Sequence, residues 1–153
     1  MKTYQELWQS LTPLYEASEA QAIVRLVLEV KYGMTLTDII GGKVNELSAD
    51  EGKKLEEIIE RLQNAEPVQY VLGQTDFMGM TFHVEPGVLI PRPETAELCQ
   101  WIIDTEKEKM EKAQLLLHTQ DTKRPNMGKG EGLYELRIVD FCTGSGCIAI
   151  TLN

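Results

Sequence analysis

Histidine, cysteine and net positive charge are all in short supply in this chain, and each shortage removes a class of chemistry. The two histidines, His83 and His118, lie far in sequence from Cys142 and Cys147, whose spacing of five is not a Cys-x-x-Cys pattern. No zinc site is expected from that arrangement. Three cysteines, an odd number, do not read as a disulfide framework. Basic residues number 15 against 24 acidic ones, a net charge of −9 that is spread over the chain: 7 against 11 in residues 1–65 and 8 against 13 in residues 66–153. Such a surface does not neutralise a phosphate backbone, so direct nucleic-acid binding is not expected. Nowhere is there a run of the roughly 20 apolar residues that a membrane span requires. The opening MKTYQELWQSL alternates polar with apolar residues and lacks the apolar core of a signal peptide. The expectation is a cytoplasmic protein that does not enter a membrane.

What is present is ordinary for a soluble globular chain, 42% hydrophobic and 25% charged. Residues 1 to about 65 read as helical. Three starts carry a Ser or Thr followed three residues later by Glu or Gln: Thr3/Glu6, Ser18/Gln21 and Ser48/Glu51. After the second, Ala22, Ile23, Leu26, Val27 and Val30 recur at helical spacing until Gly33; after the third, Leu55, Ile58, Ile59 and Leu62 do so before Pro67. A short turn of helix is predicted over Thr37–Ile40, closed by Gly41-Gly42. Each apolar stripe needs a partner, so these segments should pack as a small bundle.

From residue 67 the character changes. Thr75–Met78 and Thr81–Val84, flanking Gly79-Met80, suggest a short hairpin. Pro91-Arg92-Pro93-Glu94-Thr95 is a rigid string, because proline fixes its own φ and pushes the preceding residue to extended geometry. A helix is predicted from Glu94 to about Met110, burying Leu98, Trp101 and Ile102, with Lys107–Lys112 as its solvated end. Residues 107–134 hold Pro125, Gly128, Gly130 and Gly132 and read as a long, mobile connection. Leu136–Phe141 then reads as a buried strand leading into a glycine turn and an apolar helix, Cys147–Asn153. The division expected is a helical domain over 1–66, a hairpin and Pro-Arg-Pro linker over 67–93, and the start of an α/β domain over 94–153.

The strand–turn–helix stretch carries the chemistry. Gly144 and Gly146 leave room for a ligand to approach the backbone, and amides at a helix start point towards it. Gly144-x-Gly146-x-x-Ala149 formally matches the dinucleotide fingerprint, but Asp140 stands at the strand end, and a carboxylate repels a pyrophosphate. It suits a ligand with a cationic amino-acid portion, such as S-adenosylmethionine. A methyl donor, a dinucleotide and a purely structural turn all remain open on these residues. Cys142 and Cys147 read as small buried residues rather than reactive thiols. Arg92 either faces a cleft or pairs with a carboxylate, and Thr95 is either a helix-start residue or a ligand.

Two separated stretches together resemble the HemK/PrmC methyltransferases. One is Val71-Leu72-Gly73 with Phe77, Gly79, Phe82 and Val84, running into Val88-Leu89-Ile90-Pro91-Arg92-Pro93-Glu94-Thr95; the other is Asp140–Ala149. The helical residues 1–65 are similar to that family's N-terminal bundle in layout. The resemblance implies a helical substrate-recognition domain, a hairpin linker and the start of a Rossmann-like class I methyltransferase domain. It implies S-adenosylmethionine as cofactor, held by Asp140, Cys142, Thr143, Gly144, Ser145 and Gly146, with Arg92 and Thr95 as substrate-cleft candidates. The implied partner is a class 1 peptide-chain release factor, whose Gly-Gly-Gln glutamine is methylated on its side-chain amide. Three departures stand out: Cys142 occupies a position where the family usually has Gly; Ala96 follows Thr95 where Glu is common; and the catalytic Asn-Pro-Pro-Tyr tetrapeptide is not among these residues. The chain is therefore expected to be inactive alone. An adenine N6 methyltransferase and a non-catalytic protein-binding module are the competing readings, and the acidic charge disfavours the first.

Overall fold

A computed structural model describes residues 2–120, 138–140 and 144–153, with side chains described as far as residue 112 in the first segment. It is mostly helical with one two-stranded hairpin. The elements in order are α1 (Tyr4–Gln9), α2 (Ala17–Tyr32), α3 (Leu36–Ile40), a 3-10 turn (Lys43–Glu46), α4 (Ala49–Gln63), α5 (Val68–Leu72), β1 (Gln74–Phe77), β2 (Met80–His83), α6 (Pro93–Gln120) and α7 (Cys147–Thr151). The chain divides into two compact units, Met1–Thr75 with His83–Gly87, and Asp76–Phe82 with Val88–Asn153.

The first unit starts its helices by side-chain capping. Thr3 and Ser48 each accept from the backbone N–H three residues on, while the Glu there reaches back to the cap. Thr35 and Asp38 form the same reciprocal pair at the start of α3, where Asp does the work of the expected Glu or Gln. The Ser18/Gln21 expectation fails: α2 begins at Ala17, behind Glu16, with no side-chain cap.

The phase of α2 also differs from the sequence reading. Its buried residues are Ala20, Val24, Val27 and Leu28, whereas Ala22, Leu26 and Val30 are exposed and Ile23 half-buried. Apolar residues cover two adjoining faces of this helix, so spacing alone does not tell which face turns inward. In α4 the stripe is unambiguous, and Leu55, Ile59 and Leu62 are buried as expected, with Ile58 packed at the edge. These residues join Leu7, Leu11, Met34, Ile39, Val44, Val71 and Leu72 in one core. Helix α5, not anticipated from the sequence, places Val71 and Leu72 in that core.

The capping carboxylates make this unit sensitive to acid. Hydrogen bonds from the Thr3 backbone and hydroxyl hold the Glu6 carboxyl below its ordinary range; those from Thr35 do so for Asp38, and those from Ser48 for Glu51. A carboxyl whose pKa is depressed by folding stabilises the native state at pH values above its unfolded pKa. That contribution disappears as pH falls through the folded value. The urea midpoint should therefore stay level from about pH 7 to 5 and drop below about pH 4. The triple variant Glu6→Gln, Asp38→Asn, Glu51→Gln should flatten that drop in denaturation followed at a series of pH values. An equally steep drop in the variant would assign the acid sensitivity to other groups.

The hairpin turn is Met78-Gly79, one residue earlier than the sequence reading. Both residues have positive φ, 52° and 76°, the geometry whose twist matches a two-residue hairpin. Gly79 accepts that conformation without strain, whereas Met78, which carries a Cβ, adopts it at a cost. Phe77 and Phe82 meet edge to face, with ring centroids 5.9 Å apart. They form the core of the second unit with Cys99 and Cys147.

Helix α6 starts with Pro93 as its first residue, where a missing N–H costs nothing. It continues to Gln120, ten residues beyond the expected Met110, because Glu, Lys, Met, Gln, Ala and Leu between them are all good helix formers. Leu98 and Trp101 are exposed, at 45% and 67%, rather than buried; Ile102 is half-buried, and the fully buried position is Cys99. The expected strand at Leu136–Phe141 is described only at Ile138–Asp140, and those three residues form no strand. No neighbouring strand pairs with them among the described residues, and a strand without a ladder has nothing to fix it. Residues 107–120, expected to belong to a mobile connection over 107–134, are helical instead; residues 121–134 of that connection and the rest of the strand stretch lie outside the described residues. No helix among the described residues is long and apolar enough to cross a membrane.

Candidate functional site

The turn at residues 144–146 is built from its backbone. Gly144 and Gly146 have φ of 55° and 75°, left-handed values that strain any residue with a Cβ. Gly146 is the residue before α7, and a Cβ there would meet Ile150 Cδ1 at 3.5 Å, ordinary contact. Backbone conformation rather than crowding thus accounts for glycine at 146. Ser145 lies between them, half-buried. Cys142 and Thr143, the other two expected cofactor contacts, lie outside the described residues.

Asp140 is half-buried, and its Oδ2 is enclosed with no hydrogen-bond partner among the described residues. An enclosed, unpaired carboxylate oxygen is costly unless something cationic or donating meets it. Cys99 lies close enough to feel that charge: burial pushes its thiol pKa up, and Cys147 and Asp140 push it further. Asp140, Cys99 and Cys147 are therefore neighbours. The donor set fits the amino-acid end of S-adenosylmethionine. Asp140 would accept from an ammonium or hydroxyl, and the glycine turn would let the ligand approach the backbone.

Arg92 immediately precedes α6, and Thr95 lies in its first turn. The Arg92 carbonyl accepts from the N–H of Thr95 at 3.0 Å and of Ala96 at 3.3 Å, and the Arg92 side chain is exposed. Thr95 is half-buried at the third helical position. Among the described residues no hydrogen bond or ion pair joins either residue to the glycine turn.

The first unit carries a groove of about 470 Å³ that the sequence did not announce. Ile58 and Val71 supply its apolar part, and Lys31, Tyr32, Lys54 and Arg61 its polar walls. Lys31 Nζ donates to the Leu72 carbonyl at 2.9 Å, and Tyr32 Oη donates to the Glu51 carbonyl at 3.1 Å. Arg61 Nε donates to Glu66 Oε2 at 2.7 Å, which raises the Arg61 pKa and lowers that of Glu66. These residues come from α2, α4 and α5, so no local motif gathers them. The one legible signal was that Lys54, Ile58 and Arg61 share a face of α4 at spacings of four and three.

The PrmC N-terminal domain family matches residues 7–73. A release factor glutamine methyltransferase of Bacteroides thetaiotaomicron is 41% identical over 145 residues, covering 95% of this chain and 43% of that protein. The protein of the same description from Flavobacterium psychrophilum is 33% identical over 144 residues, 94% of this chain and 43% of its own length. That of Bacillus subtilis is 29% identical over 153 residues, 99% of this chain and 46% of its own. The chain thus spans less than half the length of these relatives. The match runs through the bundle, the Pro-Arg-Pro string and the glycine turn together, and the chain belongs to the HemK/PrmC release factor glutamine methyltransferase family, of which it represents the N-terminal portion.

Proposed function

We propose that this chain supplies the front part of an S-adenosylmethionine-dependent enzyme that methylates the side-chain amide of the Gly-Gly-Gln glutamine in class 1 release factors. Residues 1–66 hold the protein substrate, residues 67–93 form the hairpin and linker, and residues 94–153 begin a Rossmann-like methyltransferase domain. The observation that carries the reading is an Asp140 carboxylate oxygen enclosed with no hydrogen-bond partner among the described residues, four positions before the first of two left-handed glycines. That pairing suits a cationic ligand and disfavours a pyrophosphate. Bound there, S-adenosylmethionine would supply an activated methyl group. Asp140 would orient its amino-acid end, and Gly144 to Gly146 would keep the approach clear. Arg92, just before α6, and Thr95, in its first turn, are the candidates for lining the substrate cleft. The groove of α2, α4 and α5 offers a protein substrate both an apolar floor and charged walls. On this reading the chain alone is inactive, because the residues that would orient the amide are not in it.

The test is a chimera that joins this chain to the remaining C-terminal part of the Bacteroides thetaiotaomicron relative. It should transfer labelled methyl groups to a release factor and not to one with its Gly-Gly-Gln glutamine replaced. Asp140→Asn should slow that transfer about 10- to 100-fold, the scale of one lost charge-assisted hydrogen bond. Label entering DNA adenine would favour the adenine methyltransferase instead. Release-factor binding with no transfer by a folded chimera would favour a docking module.

A further inference from the structure

The core of the second unit has an unusual composition: among the described residues its buried cluster is Phe77, Phe82, Cys99 and Cys147, and two of these are thiols. They sit on α6 and α7, which pack against each other, and both are free. Cys99 is fully enclosed and Cys147 is 7% exposed. We propose that these two cysteines are a redox pair, which a small-molecule disulfide such as glutathione disulfide closes into an intramolecular disulfide tying α7 to α6. The idea stands apart from the cofactor reading, because it needs only the packing of the two helices. Either thiol alone would pass as a small apolar core residue. Together they occupy one buried cluster on two helices that pack against each other, the juxtaposition that a disulfide between them requires.

The exchange balances in two steps. Cys147, the less covered thiol, loses its proton to solvent and attacks one sulfur of glutathione disulfide. That forms a mixed disulfide and releases one glutathione thiolate. Cys99 then loses its proton and attacks the Cys147 sulfur, releasing the second glutathione. Two protein thiols are oxidised to one disulfide, and one glutathione disulfide is reduced to two glutathiones. Because Cys147 directly follows Gly146, the bond anchors the glycine turn to α6. In a reducing compartment such a bond would be transient, which is the behaviour of a sensor and not of a staple.

The test uses the full chain carrying Cys142→Ser, so that only this pair remains. It is equilibrated in glutathione redox buffers, acid-quenched, and its linkage read by peptide mass mapping. The equilibrium constant for the Cys99–Cys147 disulfide should be at least about tenfold larger in the native chain than in concentrated urea, since folding pre-pays the closure of a long loop. Cys99→Ser in the same background should yield only a glutathione adduct on Cys147. A native constant less than about tenfold above the urea value would overturn the proposal, and so would a mixed disulfide accumulating in the native chain with both cysteines present.

Discussion

Leu28→Ala should destabilise the helical unit by about 3–4 kcal/mol, the scale of deleting a fully enclosed leucine side chain and leaving part of its volume empty. Leu28 is 0% exposed and lies among Leu7, Leu11, Val24 and Leu62. A unit of this size has few kcal/mol to spare, so the variant should sit near its own unfolding midpoint in water. Leu26→Ala, two residues earlier on the same helix, should cost under about 1 kcal/mol, because Leu26 is 38% exposed. Trp8 packs against this core and can report its melting once the exposed Trp101 is replaced by Phe, since the chain has only two tryptophans. Urea titration of Trp8 fluorescence in that background separates the two variants. Equal losses at positions 26 and 28 would mean that the inward face of α2 has been misplaced by a fraction of a turn.

That contrast shows where sequence was legible and where it was not. Caps are local chemistry, so Thr3/Glu6 and Ser48/Glu51 could be read directly, and Thr35/Asp38 escaped only because Asp was left out of the pattern. The face of α4 was legible because charged residues surround one apolar stripe; that of α2 was not, because Ile23, Leu26 and Val30 continue the apolar surface beyond the buried face. Helix α5 is too short for a period to show, and only its place in the core reveals it. For α6 the polar run after Lys107 looked like a connection, although its residue types favour helix.

In the second unit the limit is of another kind. The pattern of Leu98, Trp101, Ile138 and Val139 marks surfaces suited to burial, yet all four are exposed. Periodicity says which residues want a partner and nothing of whether one is at hand. The same holds at the glycine turn. Asp140, Gly144 and Gly146 stand out in the sequence as candidates for a ligand site, but the burial of one Asp140 oxygen with no partner among the described residues depends on tertiary packing. The Cys99–Cys147 neighbourhood was invisible for the same reason, because it joins positions far apart in sequence.

S-adenosylmethionine binding should therefore depend strongly on how much of the domain surrounds that turn. The 153-residue chain should bind it at millimolar strength or more weakly, whereas the chimera completed with the Bacteroides thetaiotaomicron relative's remaining residues should bind at micromolar strength. The two limits correspond to about 4 and about 8 kcal/mol, so the missing contacts are assigned at least ~4 kcal/mol. That magnitude is reasonable. On the proposed reading Asp140 and the glycine turn would meet only one end of the ligand, and Ile138–Asp140 are held by no strand pairing among the described residues. In the chimera, Gly144→Asp should abolish detectable binding through two effects that act in the same direction. The residue sits at φ 55°, where a Cβ costs about 1–2 kcal/mol. Its side chain and new negative charge would also take the space through which, on the proposed reading, the ligand approaches the backbone. Calorimetry on the chain, the chimera and the chimera variant measures all three. Micromolar binding by the chain itself would mean that the turn and its surroundings already make a complete pocket. Unchanged binding by the Gly144→Asp chimera would move the cofactor away from this turn altogether.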